Sequence, residues 1–367
     1  MTRHFHATIL IIIGIIVLFF LSLAVGQAPH FQPKFTTTPS ISTTPTPTPQ
    51  TTFLYDDNNG SYQSISTYTL ETALKEGVYG EPTSSTTTYT NFNLYNGQIY
   101  LKGANSSAII NLDNHFFYPV NVSQIPYTIS PSYTKELFIT SITDPKTKIN
   151  SQQFILQTST ATTASALTYP SVIGEAPQPL CWSHDENTIV FSTPQKALFY
   201  YSLTNQKAKQ ASLSAQLNRY TNVYCNSNTD TLYFITQNSV YKKGFGQLTS
   251  QKLSISPSLF TVAPLFSSTL PDTILVGSAN ALLQVDLDKN ITKQLYVATD
   301  SAAITPYLWQ GNSIVYTQEN IKPESGQYYL IGKIFDTASQ VDTVFAKHQA
   351  NTITSLGNIT PFAWLHN

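Results

Sequence analysis

The residues that could do chemistry are few. His184 and Asp185 stand side by side in CWSHDENTIVF, an imidazole next to a carboxylate that could act as an acid-base pair. Both fall in the polar stretch between two apolar runs, where a solvated turn is the ordinary use of such residues. DDNNG at 56–60 has the oxygen-rich look of a calcium loop, but Gly60 occupies a place where another oxygen ligand belongs, and no glutamate stands six residues beyond it. Asn-Gly between two strand-like runs favours a type I′ hairpin turn instead. The seven histidines, at 4, 6, 30, 115, 184, 348 and 366, have no spacing that gathers a metal ion. A G-x-S-x-G nucleophile elbow, a Walker loop and the H-E-x-x-H zinc motif are all missing. No catalytic, cofactor-binding or metal-binding residue can be named, no cofactor is expected, and the binding residues stay unassigned.

The bulk composition narrows the partners. A hydrophobic fraction of 41% in 367 residues is enough for a real core, and 22 Tyr and 20 Phe bias the chain toward strands. Only 11% of residues are charged, against roughly 25% in an average soluble protein. The polar surface must then be made of Thr, Ser, Asn and Gln, which suits life outside the cytoplasm. Net charge is −1, and Arg3 and Arg219 are the only arginines, so nucleic acid is excluded as an expected partner.

The chain opens on an apolar run. ATILIIIGIIVLFFLSLAV, from Ala7 to Val25, carries no charge and as a helix would measure ~28 Å, the thickness of a bilayer core. Signal-peptide apolar regions are usually shorter, about 7 to 15 residues, which favours a retained anchor over residues 1–26; small residues at Ala24 and Gly26 keep a cleaved signal as the alternative. Arg3 before the span and no basic residue after it until Lys34 orient the N-terminus inside and the rest outside. Residues 27–51 form a Thr/Pro-rich linker, where proline breaks helix and sheet and alternating Thr-Pro favours an extended polyproline stalk. The expected localisation is a single-pass cell-membrane protein.

Residues 52–367 repeat one phrase. TFLY, QIYL, ELFI, TIVF, TLYF, TILV and SIVY begin at Thr52, Gln98, Glu136, Thr188, Thr231, Thr273 and Ser313, spaced 46, 38, 52, 43, 42 and 40 residues apart. A period of about 40 to 45 residues with several short strands per unit is that of a β-propeller blade. ITPFAW near the C-terminus repeats ITPYLW at 304–309. It reads as a first strand with no second strand after it, while TTFLYDDNNG, after the linker, reads as a second strand with no first. Pairing the two closes an all-β ring of seven blades; six is the runner-up, because residues 71–90 are irregular and the unit from Glu136 to Tyr169 is poorly marked. The segment from Phe335 to Asn358 reads as a long insertion on the last complete blade.

Trp182, Trp309 and Trp364 occupy matching first-strand positions and are expected to wedge between blades. With Leu232 taken as the counterpart of Thr188, Cys181 and Cys225 stand at one place on adjacent first strands, too far apart for a Cα separation of roughly 4.4 to 6.8 Å. Two buried thiols are the favoured reading, a disulfide the alternative in an oxidising compartment. Asn59, Asn105, Asn121, Asn290 and Asn358 begin N-x-[ST] triplets, which matter only in a cell that glycosylates exported proteins.

CWSHDENTIVF resembles the W-S-x-D-x-x-x-I-x-F signature of TolB-like and related WD-type propeller repeats, through Trp182, Ser183, Asp185, Ile189 and Phe191. His184 and Glu186 stand where that family usually has Pro and Gly. The resemblance implies an extracytoplasmic or scaffold propeller that binds partners, with no particular ligand. The expected function is a non-catalytic binding or scaffold module for a protein, peptide or glycan, acting as a monomer. The alternatives are a propeller enzyme that hydrolyses or eliminates cell-surface glycans, which would need two carboxyls converging at the channel mouth, and an envelope assembly or signalling factor.

Overall fold

The computed structural model describes residues 51–82, 88–121, 124–143, 150–159, 163–173, 177–298, 302–322 and 327–365. The expected anchor, and all of the Thr/Pro linker but its last residue, lie outside them. Among the described residues no helix is long and apolar enough to cross a membrane. The strands fall into seven four-stranded antiparallel sheets, the blades of a propeller. Six blades are continuous. Blade 1 takes its first strand, Asn358–Leu365, from the C-terminal end and its second, Thr52–Asn58, from just after the linker. Phe53 faces Trp364 across this pair and Leu54 faces Ala363. The seven-blade count holds and six is discarded.

All seven apolar phrases are second strands, the best-buried strand of each blade. They read as unbroken apolar runs because both faces are covered, alternate side chains serving opposite neighbours. Blade 4 shows the rule: Ile189 and Phe191 pack with Leu137 and Phe154 of blade 3, while Val190 packs with Leu232 and Phe234 of blade 5. Blade 1 obeys it too. Phe53 and Tyr55 join Val315, Ile334 and Phe345 of blade 7, and Leu54 joins Ile99 and Leu101 of blade 2. Gly357 stands where the chain turns into the closing strand, at φ +73, and a side chain there would run into the Asn58 carbonyl.

Three first strands carry the same irregularity. In Pro179-Leu180-Cys181-Trp182, Pro306-Tyr307-Leu308-Trp309 and Pro361-Phe362-Ala363-Trp364, the residue after proline is bulged out of the ladder, so that Pro and the third residue pair with consecutive residues of the second strand. The tryptophan that follows turns toward the preceding blade.

Three expectations need correction. The described part of residues 71–90 is more regular than its sequence looks: Leu74–Pro82 is the fourth strand of blade 1, and blade 2 begins at Tyr89. The phrase ELFI starts one residue late, because the strand runs Lys135–Thr143 and Glu136 is its second residue. The segment from Phe335 is no insertion; Gln327–Asp336 and Val341–Ala350 pair along their length as the third and fourth strands of blade 7, each ten residues long.

Phe53 is fully buried and touches the rings of Tyr55, Tyr68, Phe345 and Trp364. Phe53→Ala should cost about 3–5 kcal/mol in urea unfolding. A loss under about 1 kcal/mol would mean the closing blade is not part of the cooperative core.

Candidate functional site

The first strands of the blades converge on the central channel. Where blades 1 to 5 meet, a cavity of about 390 Å³ opens among Phe92, Thr128, Trp182 and Phe362 and the pair Cys181 and Cys225. Tyr133 and Ser227, from turns between first and second strands, place its mouth at that end of the channel. Two of the bulged residues, Leu180 and Phe362, line it. Among the described residues, none that lines it carries a carboxylate, ammonium, guanidinium or imidazole group. An adjoining cavity of about 410 Å³ shares Leu94 and Tyr133 and adds Trp364 and the exposed Asp113.

Cys181 and Cys225 are joined by a disulfide, with Cα atoms 6.1 Å apart, which corrects the expectation of two buried thiols. Both are half-buried in the cavity wall. The pairing explains the error. Cys181 lies opposite Val190, whereas Cys225 lies opposite Leu232, the counterpart of Ile189. The two positions are therefore offset by one residue, which puts Cys181 on the face of blade 4 toward blade 5 and Cys225 on the face of blade 5 toward blade 4. Equivalent positions could not have met; offset ones do. The Trp182 indole N–H donates to Thr128 Oγ1 of blade 3 at 2.9 Å, so three neighbouring first strands are tied in series along the wall.

His184 and Asp185 form a turn and not an acid-base pair. Asp185 Oδ1 accepts from Ser183 Oγ at 2.5 Å and from the Asn187 amide at 3.0 Å, bonds that hold its carboxyl below the usual range. His184 is exposed, and its backbone N–H donates to Asp230 of blade 5 at 2.6 Å. Glu186 explains the departure from the family's glycine. Its backbone sits at φ +54, where glycine is the easy choice, but its carboxylate accepts from the Ser132 amide at 2.6 Å and from Thr134 Oγ1 at 3.0 Å, pinning blade 3 to blade 4. Trp182 is buried as expected of a wedge, while Trp309 and Trp364 are half-buried.

DDNNG is a hairpin turn, of a different kind from the one expected. Gly60 has φ +84 but Asn59 does not share a positive φ, as type I′ requires; a three-residue loop is held by the Asn58 and Asn59 side chains. The aspartates before it face opposite ways. Asp56, toward blade 2, accepts from Gln63 Nε2 at 2.8 Å, and burial pushes its carboxyl up to about 7. Asp57, toward blade 7, meets His348 Nε2 at 2.6 Å and Lys75 Nζ at 2.9 Å. Burial alone would raise Asp57, but hydrogen bonds from His348 and Lys75 outweigh it and hold the carboxyl below its ordinary value. His348 Nδ1 donates to the Leu356 carbonyl at 2.9 Å, just before the closing strand.

One further residue breaks the repeat. At the position of Phe53, Ile99, Ile189, Leu232, Ile274 and Ile314, each fully buried against the preceding blade, blade 3 has Glu136. Its Oε1 has no hydrogen-bond partner, and burial pushes its carboxyl up to about 7. The signal was in the sequence but hidden by the one-residue misplacement of ELFI. Among the described residues no group of three His, Cys, Asp or Glu could hold a metal ion.

The structure is similar to TolB from Acinetobacter baumannii, at 10% identity over 86% of this chain and 66% of TolB with a TM-score of 0.39. It is also similar to dipeptidyl peptidase 4 from Porphyromonas gingivalis, at 12% identity over 80% of this chain and 53% of that one with a TM-score of 0.45. An uncharacterized protein from Listeria monocytogenes EGD-e gives 12% identity over 80% of this chain and 90% of its own, with a TM-score of 0.45. The chain thus spans about two thirds of TolB and about half of the peptidase. No protein-family model matches the sequence, and no curated protein matches it. The resemblance to TolB holds at the level of the fold.

Two outcomes follow from this geometry. The disulfide closes a loop of 44 residues, so the double variant Cys181→Ala/Cys225→Ala should lose about 4 kcal/mol in denaturant unfolding; an unchanged midpoint would show that the blades need no staple there. Glu136 binds its proton more tightly folded than unfolded, so its contribution to stability falls as pH rises from about 4.5 to about 7, and the penalty is fully present above that. Glu136→Leu should therefore gain on the order of 2 kcal/mol over the parent at pH 8 and much less at pH 4.5. Equal stability of parent and variant at pH 8 would contradict the burial of a carboxyl that only the Tyr100 hydroxyl partners.

Proposed function

We propose that the chain is a membrane-tethered, extracytoplasmic propeller whose channel mouth, between blades 1 and 5, is a non-catalytic binding site. The observation that carries this reading is the cavity itself: a concave, partly aromatic wall with hydroxyl and amide groups and, among its described lining residues, no carboxylate, ammonium or imidazole to activate a hydroxyl. A rigid ring of blades holds it, and the turns around its mouth are fixed by hydrogen bonds between blades. The disulfide in the wall supports an oxidising compartment, and the uncharged span from Ala7 to Val25 supports the tether. An envelope assembly or signalling factor would use the same surface and differ only in its partner. A glycan-active enzyme would need carboxyls in that lining; Asp56 and Glu136, the carboxyls raised toward 7, are buried between blades.

The test is photo-crosslinking on intact cells carrying the full chain, with a photoreactive residue at Ser227 in the mouth or at Val172, an exposed position outside the cavity. The reading predicts a specific adduct from Ser227 and none from Val172, in material digested by protease added outside the cell. Equal labelling from both positions, or a propeller protected from external protease, would contradict it.

A further inference from the structure

The chemistry of the cavity wall identifies the class of ligand it takes. We infer that the cavity binds a neutral saccharide, an inference that rests on the binding role proposed above.

The first argument is charge. A carboxylate, phosphate or ammonium entering the cavity would give up its water and meet no opposite charge, since no described side chain that lines it is ionic. Of the charged groups at the rim, Glu186 is engaged by Ser132 and Thr134, Asp185 by Ser183 and Asn187, and Lys135 Nζ by the Glu186 carbonyl at 2.8 Å; the exposed Asp113 of the adjoining cavity repels anions and can accept from sugar hydroxyls. A wholly apolar ligand fits no better. It would cover the Ser227 hydroxyl and the Asn93 amide without offering them a partner. The ligand must be polar and uncharged.

The second argument is shape. Phe92 and Phe362 lie in the wall as a near-parallel pair, ring centroids 5.2 Å apart and planes 23° from each other. Tyr133, 43% exposed and held at φ +57, stands where the cavity meets its neighbour. Flat rings on the walls with hydroxyl and amide groups between them match a pyranose, which presents C–H groups on its faces and hydroxyls at its edge. Two cavities of about 390 and 410 Å³ on either side of one tyrosine suit neighbouring rings of an oligosaccharide.

An extended peptide is the rival that is also polar and uncharged. It would bind by adding itself to a strand edge, and the first strands of blades 1, 2 and 4 are each interrupted by a bulge, at Phe362, Thr90 and Leu180. Such interruptions spoil the run of N–H and C=O groups that strand addition needs.

Calorimetric titration of the purified full chain in detergent would decide the matter. The probes are neutral gluco- and manno-oligosaccharides of two to six units, uronic-acid and sulfated oligomers of the same lengths, and an uncharged Gly/Ser/Thr peptide with blocked ends. The expected result is saturable binding of at least one neutral series, with the charged oligomers at least about tenfold weaker. Tyr133→Ala and Phe362→Leu should each weaken the neutral sugar about five- to tenfold, Tyr133→Ala without shifting the melting temperature, while Phe116→Ala, an exposed aromatic outside the cavity, should not weaken it. The inference is overturned if a charged oligomer or the peptide binds as well as the neutral sugar, if no neutral sugar binds, or if Tyr133→Ala and Phe362→Leu both leave binding unchanged. A Ser227 crosslink that persists while no sugar binds would sink the saccharide and leave the binding role standing; loss of both would sink the two together.

Discussion

Everything in this molecule depends on one pairing of strands, Asn358–Leu365 against Thr52–Asn58. An open ring would leave a first strand hanging from blade 7 and an unpaired second strand after the linker, with Phe53 and Leu54 stripped of a neighbour on one side. Closure buries both faces of blade 1. It is reinforced where the strand enters, by Gly357 against the Asn58 carbonyl and by the His348 ring bridging Leu356 and Asp57. The cavity borrows Phe362 and Ala363 from this same strand, so the site exists only in the closed ring.

A second rule, period-two alternation within blades that are covered on both faces, accounts for much of the rest. It sends Ile189 one way and Val190 the other, and Asp56 toward blade 2 while Asp57 faces blade 7. It also decides which cysteines can meet. In a ring of like blades, equivalent side chains all face the same way round, so a bond between neighbours must join positions an odd number of residues out of step. Cys181 and Cys225 meet that condition.

The architecture was legible because the second strand of each blade is so well buried that a run of three apolar residues recurs in it whatever surrounds them. The closing strand could be read because Ile359 to Trp364 copies Ile304 to Trp309 closely enough to reveal its place in a blade. The site was not legible in the same way. Its residues come from five separate first strands, and their approach depends on bulges at Leu180 and Phe362 that no local pattern announces beyond a preceding proline. The disulfide turned on choosing Thr231 rather than Leu232 as the partner of Thr188, an ambiguity of one residue that inverts a face. Asp57 and His348 are 291 residues apart and meet only because the ring closes. Glu136 could have been found from its six apolar counterparts, had the strand been started at Lys135.

Native-state hydrogen exchange, read by mass spectrometry on peptides covering 52–58 and 358–365, tests ring closure most directly. If the two segments form one blade, their amides should exchange only through the same cooperative opening that releases the second strand of blade 4, Thr188–Ser192. Exchange of residues 358–365 at the rate of a frayed terminus, while blade 4 stays protected, would mean the ring is not held shut by this strand.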